Sequence, residues 1–151
     1  MLTPGETAPA FTLPDAEGHD VSLASLIEAG PVVLYFYPAD FTPGCTAQAC
    51  MVRDLHGDLA SAGLRVVGIS PQGPESHARF AEKHELPFTL LCDTDKSVAK
   101  AYGATWPFGL AFRRVSYLVD RAGTISDAVT ADLSIGRHRS FIERAIAAAS
   151  A

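Results

Sequence analysis

The residue best suited to chemistry is Cys45, the first of three cysteines in the chain. It is the last residue of a segment that follows an apolar run, Tyr37-Pro38-Ala39-Asp40-Phe41-Thr42-Pro43-Gly44-Cys45. The end of this segment has the residues of a typical helix start. Thr42 is a favoured N-cap residue, and Pro43 is favoured at the first helical position. Cys45 would then be the third helical residue, where free N–H groups and the helix dipole favour a thiolate. Position alone leaves two interpretations open, a nucleophile or a small buried hydrophobe.

The second cysteine, Cys50, follows five residues later. On a continuous helix, Cα atoms five residues apart are separated by about 8.7 Å, whereas a disulfide needs roughly 4.4 to 6.8 Å. Cys45 and Cys50 can therefore both stay reduced in a folded helix, and they can bond only if its first turns unwind. A sulfenic acid on one thiol could be resolved in this way by the other.

Strands and helices alternate around these cysteines. The apolar run 32–37 predicts a central strand covered on both faces, and a helix over 42–62 leads from it to a second strand, 64–70. The other predicted elements are a hairpin (11–13 and 21–23), helices (23–29, 75–85, 96–102, 138–150) and strands (88–91, 115–119, 124–126). This order predicts a single domain over residues 1–151, a thioredoxin-like three-layer α/β sandwich with a mixed central sheet and an N-terminal hairpin.

Composition narrows the possible classes of protein. The chain has 151 residues and is 48% hydrophobic, which is enough to fill a core. Its net charge of −5, without an extended basic cluster, argues against a nucleic-acid partner. The longest apolar run is far shorter than the roughly 20 residues of a membrane span, so no membrane association is expected. An odd number of cysteines without a secretory signal argues against a structural disulfide framework and leaves reduced thiols, metal ligation or redox chemistry open. A cytoplasmic location is expected.

The segment around Cys45 resembles the peroxiredoxin family, and within it the peroxiredoxin Q or bacterioferritin comigratory protein group. Pro38, Thr42 and Cys45 match the family signature of a proline and then a threonine three residues before the peroxidatic cysteine. Residues 45–54 are similar to that group, whose resolving cysteine lies five residues further along the same helix. Segments 68–70, 76–83, 101–103 and 114–120 extend the resemblance to nearly the whole chain.

The resemblance implies a thiol peroxidase that reduces hydrogen peroxide and organic hydroperoxides. Cys45 would become a sulfenic acid, Cys50 would form a disulfide with it, and a thioredoxin-like reductant would restore both thiols. Arg114 would be the active-site arginine, whose guanidinium stabilises the thiolate. Thr42 would contact the peroxide while capping the helix, and Pro38 would shield the thiolate from water. No cofactor or metal is implied, and the expected assembly is a monomer or a weak homodimer.

Other interpretations of these residues stay open at this stage. Arg114 could instead direct its charge into solvent from a strand end. Gln48 stands where the group often has Glu, so it can offer Arg114 only a neutral hydrogen bond. Cys92, at the end of an apolar strand, is expected to be an inert, partly buried thiol, the alternative being a second resolving cysteine. His77 and His84 are seven residues apart on a predicted helix and are expected on a solvated face.

Functions of other classes fit the residues less well. A metal carrier of thioredoxin fold would have three residues between its cysteines, whereas four separate Cys45 from Cys50. Arg114 beside a metal cation would also be unfavourable. A thioredoxin-type disulfide reductase would need a Cys-x-x-Cys motif, which the sequence lacks. A non-catalytic interaction domain would not require this combination of cysteine, threonine and arginine.

Overall fold

The computed structural model describes residues 1–149. Within them the strands are β1 (Thr12–Pro14), β2 (Asp20–Ser22), β3 (Val32–Phe36), β4 (Arg65–Ser70), β5 (Thr89–Cys92), β6 (Val115–Val119) and β7 (Ile125–Thr130). The helices are α1 (Leu23–Glu28), α2 (Pro43–Ser61), α3 (Pro74–His84), α4 (Ser97–Ala101) and α5 (Ile135–Ala149). Among these described residues, no helix has the length and apolar character needed to cross a membrane.

Strands β3 to β7 form one mixed sheet in the order β5-β4-β3-β6-β7. β3 and β4 are parallel, as are β4 and β5, whereas β6 is antiparallel to both β3 and β7. β1 and β2 pair separately as an antiparallel hairpin. The predicted mixed sheet and N-terminal hairpin are therefore confirmed. That all of these elements make up a single domain stays a prediction.

The central strand β3 is buried along its whole length, and its side chains alternate between two hydrophobic clusters. Val33 and Tyr35 pack on one face with buried residues of α2, α3 and α5. Leu34 and Phe36 pack on the opposite face with α1, α4 and the hairpin. Helices thus cover both faces of the sheet, which is the predicted thioredoxin-like three-layer sandwich.

Two element boundaries differ from the prediction by more than one residue, each for a local reason. β7 extends to Thr130 because it pairs with β6 as far as Val115, although its polar side chains hide the strand in the sequence. α5 begins at Ile135, three residues earlier than predicted, and the Ser134 hydroxyl accepts a hydrogen bond from the third residue of the helix. Its predicted last residue, Ser150, lies outside the described residues.

Gly68 in β4 is a position where the packing beneath the site tolerates no side chain. It is paired with Tyr35 of β3, and a Cβ atom there would lie 2.9 Å from the Tyr35 ring and from a Leu90 methyl group. We expect Gly68→Ala to lower the free energy of unfolding by about 1 to 3 kcal/mol through overpacking, as measured by urea denaturation.

Gly57 in α2 provides the matched control. It is exposed, and a Cβ atom there would meet nothing within 4 Å. Gly57→Ala should therefore stabilise the protein by about 0.5 to 1 kcal/mol through helix propensity. Equal stability of Gly68→Ala and the wild type would contradict the tight packing described around Tyr35.

Candidate active site

Cys45 lies in the first turn of α2, which a six-residue loop (37–42) joins to the carboxyl end of the central strand. Because the helix begins at Pro43, Cys45 is its third residue, the position that the sequence predicts. The Thr42 carbonyl accepts the first intrahelical hydrogen bond, from the Thr46 N–H at 2.8 Å. The Cys45 side chain is only 1% exposed. Its sulfur is thus held near the positive end of the helix dipole and away from bulk water.

Thr42 occupies the N-cap position but does not cap the helix with its side chain, which corrects the prediction. Its backbone is extended, as an N-cap requires, yet its hydroxyl makes no capping hydrogen bond. The hydroxyl instead donates to the Ala39 carbonyl at 3.0 Å. This bond closes the loop before α2 upon itself, so the hydroxyl stiffens the loop and leaves the helical N–H groups without a side-chain partner. Pro38, at the start of the same loop, is half-buried.

Arg114 brings a permanent positive charge to the Cys45 sulfur. It directly precedes β6, the antiparallel neighbour of β3, and its Nη2 atom donates to Cys45 Sγ at 3.4 Å. The side chain is 6% exposed, so its charge does not extend into solvent. Gly44 leaves room for this approach, because a Cβ atom there would lie 3.0 Å from Nη2. A fixed positive charge at this distance can stabilise negative charge that develops on the sulfur.

Two further residues orient the Arg114 guanidinium. Gln48, one turn after Cys45, accepts from Nη1 at 2.6 Å, which is the neutral hydrogen bond expected of a glutamine here. The carbonyl of Asp132 accepts from Nε at 3.3 Å, and its carboxylate accepts from the Arg114 backbone N–H at 3.0 Å. Nη2 is thereby directed at Cys45.

Asp132 was not identified by the sequence analysis. It lies after β7, eighteen residues from Arg114, and it also accepts a hydrogen bond from Arg113 at 2.9 Å. Although partial burial opposes ionisation, the hydrogen bonds from Arg113 and the Arg114 backbone hold the pKa of Asp132 below its ordinary value. Arg113 in turn stacks on Trp106, with the guanidinium carbon 4.5 Å from the ring centroid. The carboxylate thus orders both arginines at the start of β6.

The other two cysteines differ in accessibility, and all three are free thiols. Cys50 is half-buried on the second turn of the uninterrupted helix α2. Cys92 ends β5 and is 2% exposed, with its sulfur 3.9 Å from the Asp15 carbonyl. Burial, with contributions from nearby carboxylates, raises the pKa of Cys92 to about 11. These properties are those of the inert thiol expected from the sequence.

A buried charged network anchors the loop that precedes Cys45. Asp40 accepts three hydrogen bonds of 2.7 Å, from the Tyr37 hydroxyl, the Ser76 hydroxyl and His77 Nδ1. His77 is fully buried, so the expectation that it lies on a solvated face is wrong. His84 is half-buried. Both histidines share the inner face of α3 with buried Phe80, a polar use of an inward face that apolar periodicity does not reveal.

The contacts of His77 join three parts of the fold. Nε2 lies 2.9 Å from the Leu91 carbonyl, which can only accept, and Nδ1 faces the Asp40 carboxylate. Both ring nitrogens therefore face oxygen atoms, and the ring links the loop before α2 to β5. Burial of the Asp40 carboxylate tends to raise its pKa, but hydrogen bonds from His77, Tyr37 and Ser76 hold that pKa below its ordinary value. The loop is thus joined to α3 and β5 by the buried Asp40–His77 pair.

Phe41, between this pair and the helix, adopts a backbone conformation that is unfavourable for its residue type. Its φ angle is +65°, in the left-handed region, which costs a non-glycine residue about 1 to 2 kcal/mol. Its ring packs edge-on against Phe80, with centroids 5.2 Å apart, and Lys83 lies over it. Side-chain packing and the Asp40 anchor together hold this conformation.

The fold and the site together define a class of protein. The cysteine lies in the first turn of the helix that follows the central strand of a thioredoxin-like sandwich, and a buried arginine contacts its sulfur. This arrangement is typical of thiol-based redox proteins. Comparison with known proteins makes the assignment specific. The model of the AhpC/TSA family matches residues 4–128, and the chain belongs to this family.

Several relatives place the chain among the peroxiredoxin Q and bacterioferritin comigratory proteins. The chloroplastic peroxiredoxin Q of Sedum lineare is 50% identical over 125 residues, which are 82% of this chain and 67% of that protein. Two Mycobacterium tuberculosis proteins with a peroxiredoxin name are 57% identical over 103 residues, 68% of this chain. The matched segment spans 65% of their length.

Solved structures agree in fold over almost the whole chain. Peroxidoxin BcpB of Mycobacterium tuberculosis superimposes with a TM-score of 0.90 at 33% identity, covering 99% of this chain and 97% of that one. The bacterioferritin comigratory protein of Xanthomonas campestris gives a TM-score of 0.83 at 25% identity, covering 91% and 90%. The loop, the helix start and the strand that carry the site thus belong to an architecture common to these proteins.

Breaking the Asp40–His77 pair should destabilise the protein in a pH-dependent way. Because the folded-state pKa of Asp40 is depressed, its stabilisation is present above the ordinary value of about 4 and is lost as the pH falls below it. Asp40→Asn should therefore lower the free energy of unfolding by about 3 kcal/mol at pH 7, and by much less near pH 3. Urea denaturation at both pH values measures this difference.

Glu143→Gln serves as the control for that measurement. Glu143 pairs with Arg139 at 3.9 Å across an exposed face of α5, so its loss should change stability by at most about 0.5 kcal/mol. If Asp40→Asn behaves like this exposed pair, or if its deficit does not change with pH, the buried Asp40–His77 pair does not anchor the loop.

Proposed function

We propose that this chain is a thiol peroxidase that reduces hydrogen peroxide and organic hydroperoxides through Cys45. The observation that carries the proposal is the Arg114 guanidinium, 3.4 Å from a cysteine sulfur in the first turn of a helix. The similar Xanthomonas campestris protein has alkyl peroxide reduction activity, and its structures include a trapped intermediate. Membership of the AhpC/TSA family supports the same reaction.

The first step is a displacement on the peroxide O–O bond. The Cys45 thiolate attacks one oxygen, an S–O bond forms, and the O–O bond breaks. The other oxygen leaves as hydroxide or alkoxide and takes up a proton, giving water or an alcohol. The sulfur is oxidised to a sulfenic acid, and the peroxide is reduced. Arg114 stabilises both the thiolate and the charge that develops on the leaving oxygen.

The loop residues Thr42 and Pro38 complete the proposed site. Thr42 directly precedes the helix, and its hydroxyl already donates to the Ala39 carbonyl, so its oxygen can still accept a hydrogen bond from a hydroperoxide. Pro38, half-buried at the end of the central strand, has no N–H group and would limit the approach of water to the thiolate. Gln48 and Asp132 act through Arg114 and are positioning residues.

The second step converts the sulfenic acid to a disulfide. The Cys50 thiol attacks the Cys45 sulfenic acid, an S–S bond forms, and the S–O bond breaks with release of water. α2 is continuous from Pro43 to Ser61, so the two Cα atoms are about 8.7 Å apart by helix geometry. Disulfide formation therefore requires the first turns of α2 to unwind. A thioredoxin-like dithiol would then reduce the disulfide and become oxidised itself.

The setting of the reaction is part of the same proposal. Three reduced cysteines suit a reducing compartment, which favours the cytoplasm. The plant relatives are chloroplastic by name, so this chemistry operates in more than one compartment. Both redox thiols lie in one helix, so a single chain could complete the cycle as a monomer or within a weak homodimer.

Cys45→Ser should abolish peroxide reduction, because a serine hydroxyl is not ionised at neutral pH and cannot be oxidised by peroxide. The measurement is consumption of hydrogen peroxide and cumene hydroperoxide with thioredoxin, thioredoxin reductase and NADPH. Cys92→Ser is the control and should keep the wild-type rate, since Cys92 is buried and its pKa is about 11. Turnover by Cys45→Ser would disprove the assignment.

One equivalent of peroxide should convert the reduced protein to a form with a Cys45–Cys50 disulfide. Peptide mapping by mass spectrometry after alkylation of the remaining thiols identifies the pair. Cys50→Ser should instead accumulate a Cys45 sulfenic acid that dimedone captures, and Cys92→Ser should map like the wild type. A bond from Cys45 to Cys92, or between chains, would show that Cys50 is not the resolving residue.

A further inference from the structure

We infer that His84 acts as the base for Cys50, accepting its proton when Cys50 attacks oxidised Cys45. The inference deepens the proposed function and rests on it. Cys50 Sγ lies 4.0 Å from His84 Nδ1, across the contact between α2 and α3. Both side chains are half-buried, so this contact is neither isolated in the core nor fully open to water.

The imidazole of His84 is held in place from two sides. Its ring packs edge-on against Phe80, with centroids 5.2 Å apart. Its backbone carbonyl accepts a hydrogen bond from Arg53 Nη1 at 2.9 Å, which joins the last residue of α3 to α2. Arg53 is three residues from Cys50 on the same helix and therefore on the same side of it. These contacts keep Nδ1 opposite the thiol while α2 is folded.

Charged groups surround this pair where negative charge would develop on the Cys50 sulfur. Arg53 is a permanent cation on the same helix, and its Nε donates to Asp54 at 3.1 Å. The hydrogen bond to Asp54, and then attraction to Cys50, hold the pKa of Arg53 above its ordinary value. On α3, Lys83 lies over the Phe41 ring, and Glu85, which follows the helix, interacts with Arg53. The anionic sulfur would thus be formed beside Arg53 and the protonated imidazole.

The two redox thiols need different assistance because they occupy different helix positions. Cys45 has the first turn of α2 and the Arg114 guanidinium, whereas Cys50 lies beyond the turn where the helix dipole acts. An ordinary thiol, with a pKa of about 8.5, is only about 3% ionised at pH 7. A neighbouring base that takes up the proton as the sulfur attacks would therefore assist Cys50.

The proposed step balances without another reactant. The Cys50 S–H proton passes to His84 Nδ1, leaving a thiolate and an imidazolium. When the helix start unwinds, the thiolate attacks the Cys45 sulfenic sulfur, the S–S bond forms, and the S–O bond breaks. The departing hydroxide becomes water, and the imidazolium returns its proton to solvent. Sulfur alone changes oxidation state, and His84 ends as it began.

A single-turnover experiment separates this step from peroxide reduction. Reduced protein is mixed with one equivalent of hydrogen peroxide, dimedone trapping follows Cys45 sulfenic acid, and loss of free thiols in acid-quenched samples follows the disulfide. In His84→Gln, sulfenic acid should form at the wild-type rate, and disulfide formation should be slowed about tenfold at pH 7. The difference should vanish near pH 9.5, where thiols ionise unaided.

Two further variants complete the design. His84→Phe keeps a ring against Phe80 and lacks the nitrogen, so it should be as slow as His84→Gln, and added imidazole should restore part of the rate. His56→Gln, a histidine change six residues beyond Cys50 on α2, should resolve at the wild-type rate.

Wild-type disulfide rates in both His84 variants at pH 7, or equal slowing at pH 7 and 9.5, would overturn the inference and leave the proposed function intact. If wild-type Cys45 forms no sulfenic acid, both fail.

Discussion

The close approach of the Arg114 guanidinium to the Cys45 sulfur is the interaction on which the rest of the site depends. A buried guanidinium is costly unless its N–H groups have partners. Gln48 accepts a hydrogen bond from Nη1, the Asp132 carbonyl accepts one from Nε, and the sulfur accepts one from Nη2. The Arg114 guanidinium therefore joins the segment that leads into β6 to α2 and to the segment after β7.

This dependence explains several features that have no obvious relation to sulfur chemistry. Gly44 has no side chain because the guanidinium passes within 3.0 Å of where a Cβ atom would be. Asp132 pairs with Arg113 as well as orienting Arg114, so two adjacent arginines can directly precede β6. His138 on α5 stays neutral beside the same strand, since burial, reinforced by the Arg114 charge, holds its pKa below the ordinary value. The histidine of α5 therefore adds no second positive charge next to Arg114.

The sequence predicts the parts of this structure that depend on local pattern. The β-branched run of β3 and the Thr-Pro-Gly start of α2 locate Cys45, and a resemblance to known proteins points to Arg114. Asp132 could not be found in this way, because its contact with Arg114 joins segments eighteen residues apart with no fixed spacing. The sequence does not reveal that His77 is buried, because a histidine whose ring contacts Asp40 and a carbonyl has the same pattern as any polar residue of an amphipathic helix. Its position three residues before buried Phe80 was the available signal.

Phe41 has a consequence for the balance between the folded and unwound forms of the helix start. Its left-handed backbone raises the energy of the folded form by about 1 kcal/mol, and an unwound loop would relax it. A difference of that size changes an equilibrium constant about fivefold. The folded site therefore carries, one residue before the helix cap, a small stored bias toward opening. The backbone conformation that keeps Cys45 buried also favours the unwinding that would expose its sulfur.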